Sequence, residues 1–513
     1  MNIAQLFYGR NYLTAWVGLT FTSSCARAFN FLLFALIPRC FGVGLHTDIF
    51  FAGLNLANRT RGYLLCTNMS VIVPVAMEEG RTRGLREGSN LYSRCFSRYM
   101  LAALFLVAVF HVLPYSWLEL ILGFPRSELR SYSAIVALLT VLFVADVALF
   151  GLNDWAFANR YFSLPSTLGS IASVAAVLWT LALPSGGLAG LLSILIGLRF
   201  AQIVAVLHVL SANVLFSIKP RRSVSRVSMR GPLLVYIGAL FTLLFDSAPY
   251  LLVSRLGPGQ ITALAYAQVI ASIPATLIVE HSQQMVAVRM AEFGREGAHD
   301  SLNSTFRSLV EHLLLLIIPV CGFLWIVREP LLDLLLSSQT PSEIRRSATD
   351  LVAYLIWIPP LTAVNSLVSR LFLGLQRVAP ATLYQICSNS LGVVFLVTGI
   401  LFGGSHAFGP IMLAFYAVHL VALYFLCRAV FPWFQYASGV STAWKGTLLT
   451  IPALCLAGSS SSLSESPLYS ISAAAVVYGG AVVITYLVVQ GMTRGEFIPE
   501  AARARNLIRK TLS

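Results

Sequence analysis

The chain has 513 residues, 57% of them hydrophobic and only 11% charged, with a mean hydropathy of +0.78; these values describe an all-α polytopic membrane protein and exclude a soluble globule. Its 35 Lys and Arg against 21 Asp and Glu give a net charge of +14, but the basic residues collect at the ends of apolar runs, which signals topology rather than nucleic-acid binding. The eight cysteines show no CxxC or CxxH spacing and lie mostly in apolar segments, so neither a disulfide framework nor a metal site is expected.

In chain order, apolar runs of membrane-spanning length fall at 13–38, 47–77, 99–123, 131–153, 163–184, 187–217, 231–254, 260–290, 308–336, 349–373, 381–403, 408–431, 444–458 and 468–490, which predicts about fourteen transmembrane helices. The ninth run has room for a short interfacial helix ending in REPLLDLLL. MNIAQLFYGRNYLTAWVG at the start has no small-residue cleavage site after a short apolar core, so it reads as retained. Alternate connections are strongly basic: RTRGLREGSNLYSRCFSR (81–98), KPRRSVSRVSMR (219–230), the 289–307 segment and RNLIRK (505–510). The opposite ones, LPSGG, LGPGQ, FGGSHAFG and GSSSSLSESP, carry almost no Lys or Arg. The positive-inside rule then puts both termini in the cytoplasm.

The order of features repeats. RCFGVGLHTDIFFAG from Arg39 aligns with SRLGPGQITALAYAQ from Ser254, pairing Gly42 with Gly257, Gly44 with Gly259 and Thr47 with Thr262, and Pro165 with Pro380 at the same displacement of 215 residues. PVAMEEGR (74–81) aligns with AVRMAEFGR (287–295). Two six-helix lobes in parallel order, 1–218 and 219–432, imply a transporter with its substrate site between them, and 433–513 supplies two further helices and a tail outside the duplication. The glycine pairs suit tight turns at the start of the second and eighth helices.

The second run is unusual for carrying Asp48, Asn55, Asn58, Arg59 and Arg61. A charge at the centre of a spanning helix costs roughly 2.5–3.5 kcal/mol on insertion scales, so these residues should face a polar cavity or a partner. At 100° per residue Asp48, Asn55 and Arg59 form one narrow stripe, while Arg61 points away from it unless the helix breaks. On the first run Ser23, Arg27 and Asn30 form a second short stripe. The alternative is an ion pair of Arg27 or Arg59 with Asp48 that only locks the first two helices together.

FGVGLHTDIFFAGLNLANRTRG followed by VPVAMEE resembles the FGxGxxTDxFFxAxxxPNxxR and FVPxxxE pattern of the MviN/MurJ lipid II flippases of the MOP transporter superfamily. That resemblance implies a bacterial inner-membrane flippase of a polyprenyl-diphosphate-linked sugar precursor, with Arg27, Asp48 and Arg61 on the cavity positions of the family and Arg59 as a replacement cation. Two family arginines are absent, their places taken by Leu33 and Val269, which leaves open another head group or lost activity. An exopolysaccharide or O-antigen carrier, a multidrug or cation exporter and a non-transporting scaffold are the alternatives; a membrane enzyme lacks the acidic pairs or large loop it would need. Arg199 and Asp146 are weaker cavity candidates, with pairing as the alternative, and Glu280, beside His281, is a candidate in the second lobe. Some relatives place a sodium site on the seventh helix, which Asp246 and Asn389, with Gln385, resemble in part. The expected coupling is to membrane potential, Na+ or H+, with no cofactor. The expected partners are the lipid-linked glycan, the bilayer and cell-wall synthesis enzymes, with the protein acting as a monomer.

Overall fold

The computed structural model describes residues 12–112, 121–161, 163–213, 230–279, 297–336, 340–375, 377–437 and 467–492, together with Glu119, Phe216, Thr447, Thr450 and Ile451. Every regular element among them is helical. Among the described residues eight helices are long and apolar enough to cross a membrane, and a ninth span results if the pair Ser342–Leu355 and Ile358–Ser369, bent by 45°, is one. Most of the predicted thirteenth run lies outside the described residues.

Residues of the first half form α1 (Tyr12–Phe41), α2 (Leu45–Leu64), α3 (Val73–Arg83), α4 (Leu85–Val112), the short α5 (Arg126–Ser131), α6 (Ser133–Ala158), α7 (Ser163–Ala182) and α8 (Gly187–Ala212). The second half supplies α9 (Arg230–Ser254), α10 (Gln260–Pro274), α11 (His299–Ile326), α12 (Arg328–Leu335), α13 (Ser342–Leu355), α14 (Ile358–Gly374), α15 (Val378–Val430) and α16 (Pro467–Met492). The short helix α12 occupies the REPLLDLLL stretch. Within α15 the backbone breaks at Gly404 (φ 60°, ψ −153°). Tyr384 and Ser388 on its first limb bond His419 on the second, and Phe395 meets Phe415, so the limbs form an antiparallel hairpin matching the eleventh and twelfth runs.

The basic stretch 81–98 is not a loop. It is helical on both sides of Gly84 (φ 103°), and α4 starts at Leu85, before the predicted run. The reason is an amphipathic face: Leu91, Tyr92, Cys95 and Tyr99 are buried while Arg86 and Arg98 are exposed. Tyr92 is enclosed, stacks on Trp155 at 4.3 Å and donates to the Gly151 carbonyl at 2.5 Å.

Helices of residues 12–212 pack chiefly on one another, as do those of 230–430, and α2 with α9 and α10 makes the principal contact between the two sets. Residues displaced by 215 positions meet there. Thr47 Oγ1 and Thr262 Oγ1 are 3.4 Å apart, and Phe51 meets Tyr266 edge-on at 5.7 Å. A pseudo-twofold axis therefore passes between the starts of α2 and α10. Helix α16 packs on α11 and α12, where the Tyr478 hydroxyl donates to the Pro319 carbonyl at 2.6 Å.

Candidate functional site: a charged seam and an adjoining cavity

Helix α2 runs unbroken from Leu45 to Leu64, started by Thr47, whose hydroxyl accepts the Gly44 N–H at 2.9 Å and donates to the Gly44 carbonyl at 2.7 Å. Unbroken geometry keeps Asp48, Asn55 and Arg59 on one face, and that face meets the second set of helices along its length. Asp48 is 1% exposed. Its carboxylate accepts the Gly259 N–H at 2.5 Å, the Thr262 N–H at 2.9 Å and the Thr262 hydroxyl at 2.5 Å. An anion is thus held at the N-terminus of α10, where free N–H groups and the helix dipole favour it. Asn55 lies against the Tyr250 hydroxyl, which donates to Gln268 Oε1 at 2.6 Å. Arg59 Nη1 donates to Asp246 Oδ2 at 2.9 Å. Beyond it Tyr63 packs on Tyr236 at 5.7 Å, and the Tyr236 hydroxyl donates to the Leu64 carbonyl at 3.1 Å.

This changes two expectations. Asp48 is expected in the substrate cavity, yet the structure encloses it as a tie between α2 and α10. Arg59 pairs with neither Asp48 nor another first-half carboxylate; its partner is Asp246, the residue considered for ion coupling, so a guanidinium occupies the carboxylate that a metal ion would need. Asn389, 8% exposed, donates its amide to Thr242 Oγ1 at 2.8 Å, as Gln385 does at 2.6 Å. Among the described residues no cluster of three His, Cys, Asp or Glu is arranged to hold a metal.

Arg61 points away from the stripe, as the helical spacing requires. It lies over the Phe150 ring at 3.6 Å, bonds Asn58 Oδ1 at 3.1 Å and approaches Asp146 at 3.7 Å. Arg199 Nε sits 2.9 Å from the same Asp146, and its guanidinium donates to Gln202 at 3.1 Å. Arg61, Asp146 and Arg199 therefore form a chain inside the first set of helices, joining α2, α6 and α8, and do not reach the seam. Arg27 is half-buried on α1, and Asn30 Oδ1 accepts from Ser173 on α7 at 3.0 Å. Ser23 lies on α1 with its side chain outside those described, and Glu280 lies outside the described residues altogether. Leu33 is 5% exposed in the core, so the position lacking an arginine is a packed one.

Behind the Arg59 and Asp246 pair is a cavity of about 700 Å³ walled by α9, α14 and both limbs of α15. Arg59 is 43% exposed as a side chain and Asp246 22%. Sequence reasoning passed over most of this wall, although its signal was present: Thr362, Ser366 and Ser369 on α14 and Thr382, Gln385 and Asn389 on α15 recur at helical spacing inside apolar runs. The Gly42 and Gly257 turns have φ of 78° and 129°, and Gly259 has φ of 86° where a Cβ would clash with the Ile344 side chain; Gly44, at φ 171°, is ordinary extended backbone.

Comparison with known proteins places this geometry in a setting. No match emerges among curated protein sequences. The chain superposes on the lipid II flippase MurJ in an inward closed conformation with a TM-score of 0.69 and 13% identity, covering 93% of this chain and 99% of that one. It superposes on a mutant form of the Vibrio cholerae MATE transporter VcmN with a TM-score of 0.61 and 15% identity, over 82% and 98% of the two chains. A third likeness is to a MOP superfamily transporter from Pyrococcus furiosus, with a TM-score of 0.57, 12% identity and coverage of 89% and 99%. Residues 235–398 match the MatE family model, and the chain as a whole has the fold of the MOP-superfamily membrane transporters.

Proposed function

We propose that this transporter is a flippase that moves a polyprenyl-diphosphate-linked sugar precursor from the inner to the outer leaflet of a bacterial cytoplasmic membrane, lipid II being the first candidate and an exopolysaccharide or O-antigen unit the second. The observation that carries the reading is the Arg59 to Asp246 ion pair, which ties the two helix sets together at the wall of a large cavity while leaving the guanidinium partly exposed. A diphosphate offers the same bidentate geometry as a carboxylate with more charge, and an arginine fork stays ionised when desolvated. An entering diphosphate therefore competes with Asp246 for Arg59. Once Arg59 turns to phosphate, the tie across the seam is released and the two sets are free to rock about the bound head group. The polyprenyl tail stays in the bilayer.

The basic pattern of the connections supports cytoplasmic termini. In that orientation the Gly42 and Gly257 turns face outward, and Asp48 holds the outer end shut. A membrane potential negative inside would favour the outward movement of the anionic head group; Na+ or H+ at Asp246 would compete with Arg59 for one carboxylate. An organic-cation exporter is the rival reading, favoured by Asp246 near the Phe415 and Tyr416 rings and opposed by Arg59, which already neutralises that carboxylate. Enzymes of cell-wall synthesis would deliver or consume the cargo.

The test has two parts. In a bacterium depleted of its lipid II flippase, the native chain is expected to restore growth, and Arg59→Gln at equal membrane abundance is expected not to. Purified protein is expected to bind undecaprenyl diphosphate, with Arg59→Gln weakening it about 10- to 100-fold, the equivalent of a charge-assisted hydrogen bond of roughly 1.5–3 kcal/mol. Asp246→Asn should tighten the same binding, because it removes the competitor. Binding without rescue would assign another lipid-linked glycan; no binding by the native chain would overturn the reading.

A further inference from the structure

The cavity next to Arg59 has a composition of its own. Its charged lining among the described residues consists of Arg59 and Asp246, and these neutralise each other at 2.9 Å. What remains is uncharged and polar. Helix α14 contributes Thr362, Asn365, Ser366 and Ser369. The Ser366 hydroxyl donates to the Ala363 carbonyl at 2.8 Å, and that of Ser369 to the Asn365 carbonyl at 3.0 Å, so the Ser369 donor proton is held by its own helix and its oxygen lone pairs face outward to accept. The facing limb of α15 contributes the amides of Gln385 and Asn389, each holding Thr242 with one N–H and retaining a second N–H and a carbonyl oxygen. The other limb adds the rings of Phe415 and Tyr416, and His419, whose Nδ1 bonds the Ser388 hydroxyl at 2.7 Å and whose buried Nε2 has no hydrogen-bond partner among the described residues.

With the ion pair intact such a wall holds no uncompensated charge and suits neither an anion nor a cation; once Arg59 turns to a diphosphate, the freed Asp246 carboxylate is a further acceptor for a sugar hydroxyl. The wall suits a ring that presents hydroxyl and amide groups at its edge and C–H groups on its faces: hydroxyls bond to the serine, threonine and amide rows, and the C–H face lies on an aromatic ring. About 700 Å³ is within the roughly 300–1,000 Å³ usual for small-molecule sites. Position agrees with composition. Arg59 stands at the cavity wall, and in a polyprenyl-diphosphate glycan the first sugar is bonded directly to the phosphate.

We infer that the cavity between α9, α14 and α15 is the glycan compartment of the transporter, binding the uncharged hydroxyl- and acetamide-bearing sugar next to a diphosphate held by Arg59. This rests on the flippase reading. It assigns selection among lipid-linked glycans to the second set of helices and leaves the seam to recognise only the phosphates. The side chains of Asn365, Ser366, Gln385 and Asn389 then determine which sugar is carried.

The test uses the full chain in lipid nanodiscs with two probes, undecaprenyl diphosphate and undecaprenyl-diphosphate-linked N-acetylglucosamine. The native protein is expected to bind the glycosylated lipid roughly tenfold or more tightly than the bare one, since a site built to hydrogen-bond a group discriminates against a ligand lacking it. Ser366→Phe and, separately, Ser369→Phe fill the cavity and should abolish that preference, lowering the affinity for the glycosylated lipid to that for the bare one. An unchanged thermal unfolding midpoint shows that each variant is folded. Asn365→Ala should reduce the preference part way. Equal affinity of the native protein for both lipids, or a preference that survives both cavity-filling variants, overturns the glycan compartment and leaves the flippase reading standing. Failure of the native chain to bind either lipid overturns the flippase reading and this inference with it. Tetraphenylphosphonium bound by the native protein and lost in Ser366→Phe, with no preference for the glycosylated lipid, would make the cavity an organic-cation site instead.

Discussion

Asp48 and Arg59 share one face of α2 and act on the second set of helices in different ways. Asp48 is enclosed and saturated by three donors, two of them backbone N–H groups of α10. Arg59 holds a single carboxylate and is 43% exposed. Asp48→Asn keeps the shape but turns an amide N–H toward donors, leaving at least one buried N–H unpaired, so the variant should lose about 1–3 kcal/mol of stability. Arg59→Gln removes a partly hydrated ion pair and should stay within about 1 kcal/mol of native. Thermal unfolding in detergent compares the two; a larger loss in Arg59→Gln would mean that the seam is held chiefly by the ion pair. The helical stripe of Asp48, Asn55 and Arg59 was legible in the sequence, because 100° per residue is a local property. Their partners were not. Asp48 is bound mainly by backbone, which no side-chain pattern announces, and Asp246 lies far along the chain with nothing basic beside it. The departure of Arg61 from the stripe was legible for the same local reason, but it was expected in the substrate cavity and instead faces Asp146, which it shares with Arg199.

At the level of elements, the apolar runs locate the helices but blur where one ends and polar helix begins. The start of α4 shows why: an amphipathic turn reads as a charged loop when hydropathy is averaged, although its Leu91, Tyr92, Cys95 and Tyr99 periodicity is helical. The polar rows on α14 and α15 were hidden by the same averaging, since isolated Ser, Thr, Asn and Gln barely lower the hydropathy of a span. The glycine-rich stretch between the limbs of α15 was read as a connection, and Gly404 makes it a sharp one. Its φ of 60° with ψ of −153° is a conformation that essentially only glycine adopts, and a Cβ there would have nothing within 4 Å. Any cost of substitution is then backbone strain alone. Gly404→Ala should lower stability by about 1–3 kcal/mol, and Gly404→Asn should be no milder, because this is not the left-handed helical region that asparagine tolerates. A milder asparagine in thermal unfolding would show that the hairpin relaxes into another turn.

For the whole molecule, the duplication seen in the sequence acquires a physical meaning at the axis. Thr47 and Thr262 are equivalent and touch, as are Phe51 and Tyr266, so each half meets its own counterpart. The equivalence is broken at Asp48, which is matched by Ala263, so a carboxylate from the first half holds the helix start of the second with no counterpart in return. On the proposed flippase reading, a closed seam at the axis with a cavity beside it is half of an alternating-access cycle, and the other half requires the starts of α2 and α10 to part. Thr47→Cys with Thr262→Cys places two sulfurs where two hydroxyls lie 3.4 Å apart, close enough for a disulfide if the Cβ atoms come to about 3.5–4.5 Å. In a background with the eight native cysteines replaced, oxidation should lower transport to background, and reduction should restore it. Each single-cysteine variant should be indifferent to oxidant. Because the link joins the two halves at their axis and touches neither Arg59 nor the cavity, lost transport with retained undecaprenyl diphosphate binding would mean that this end must open for release. Transport that continues in the cross-linked protein would mean that the halves never separate here, and that the head group leaves by a path on one side of the seam.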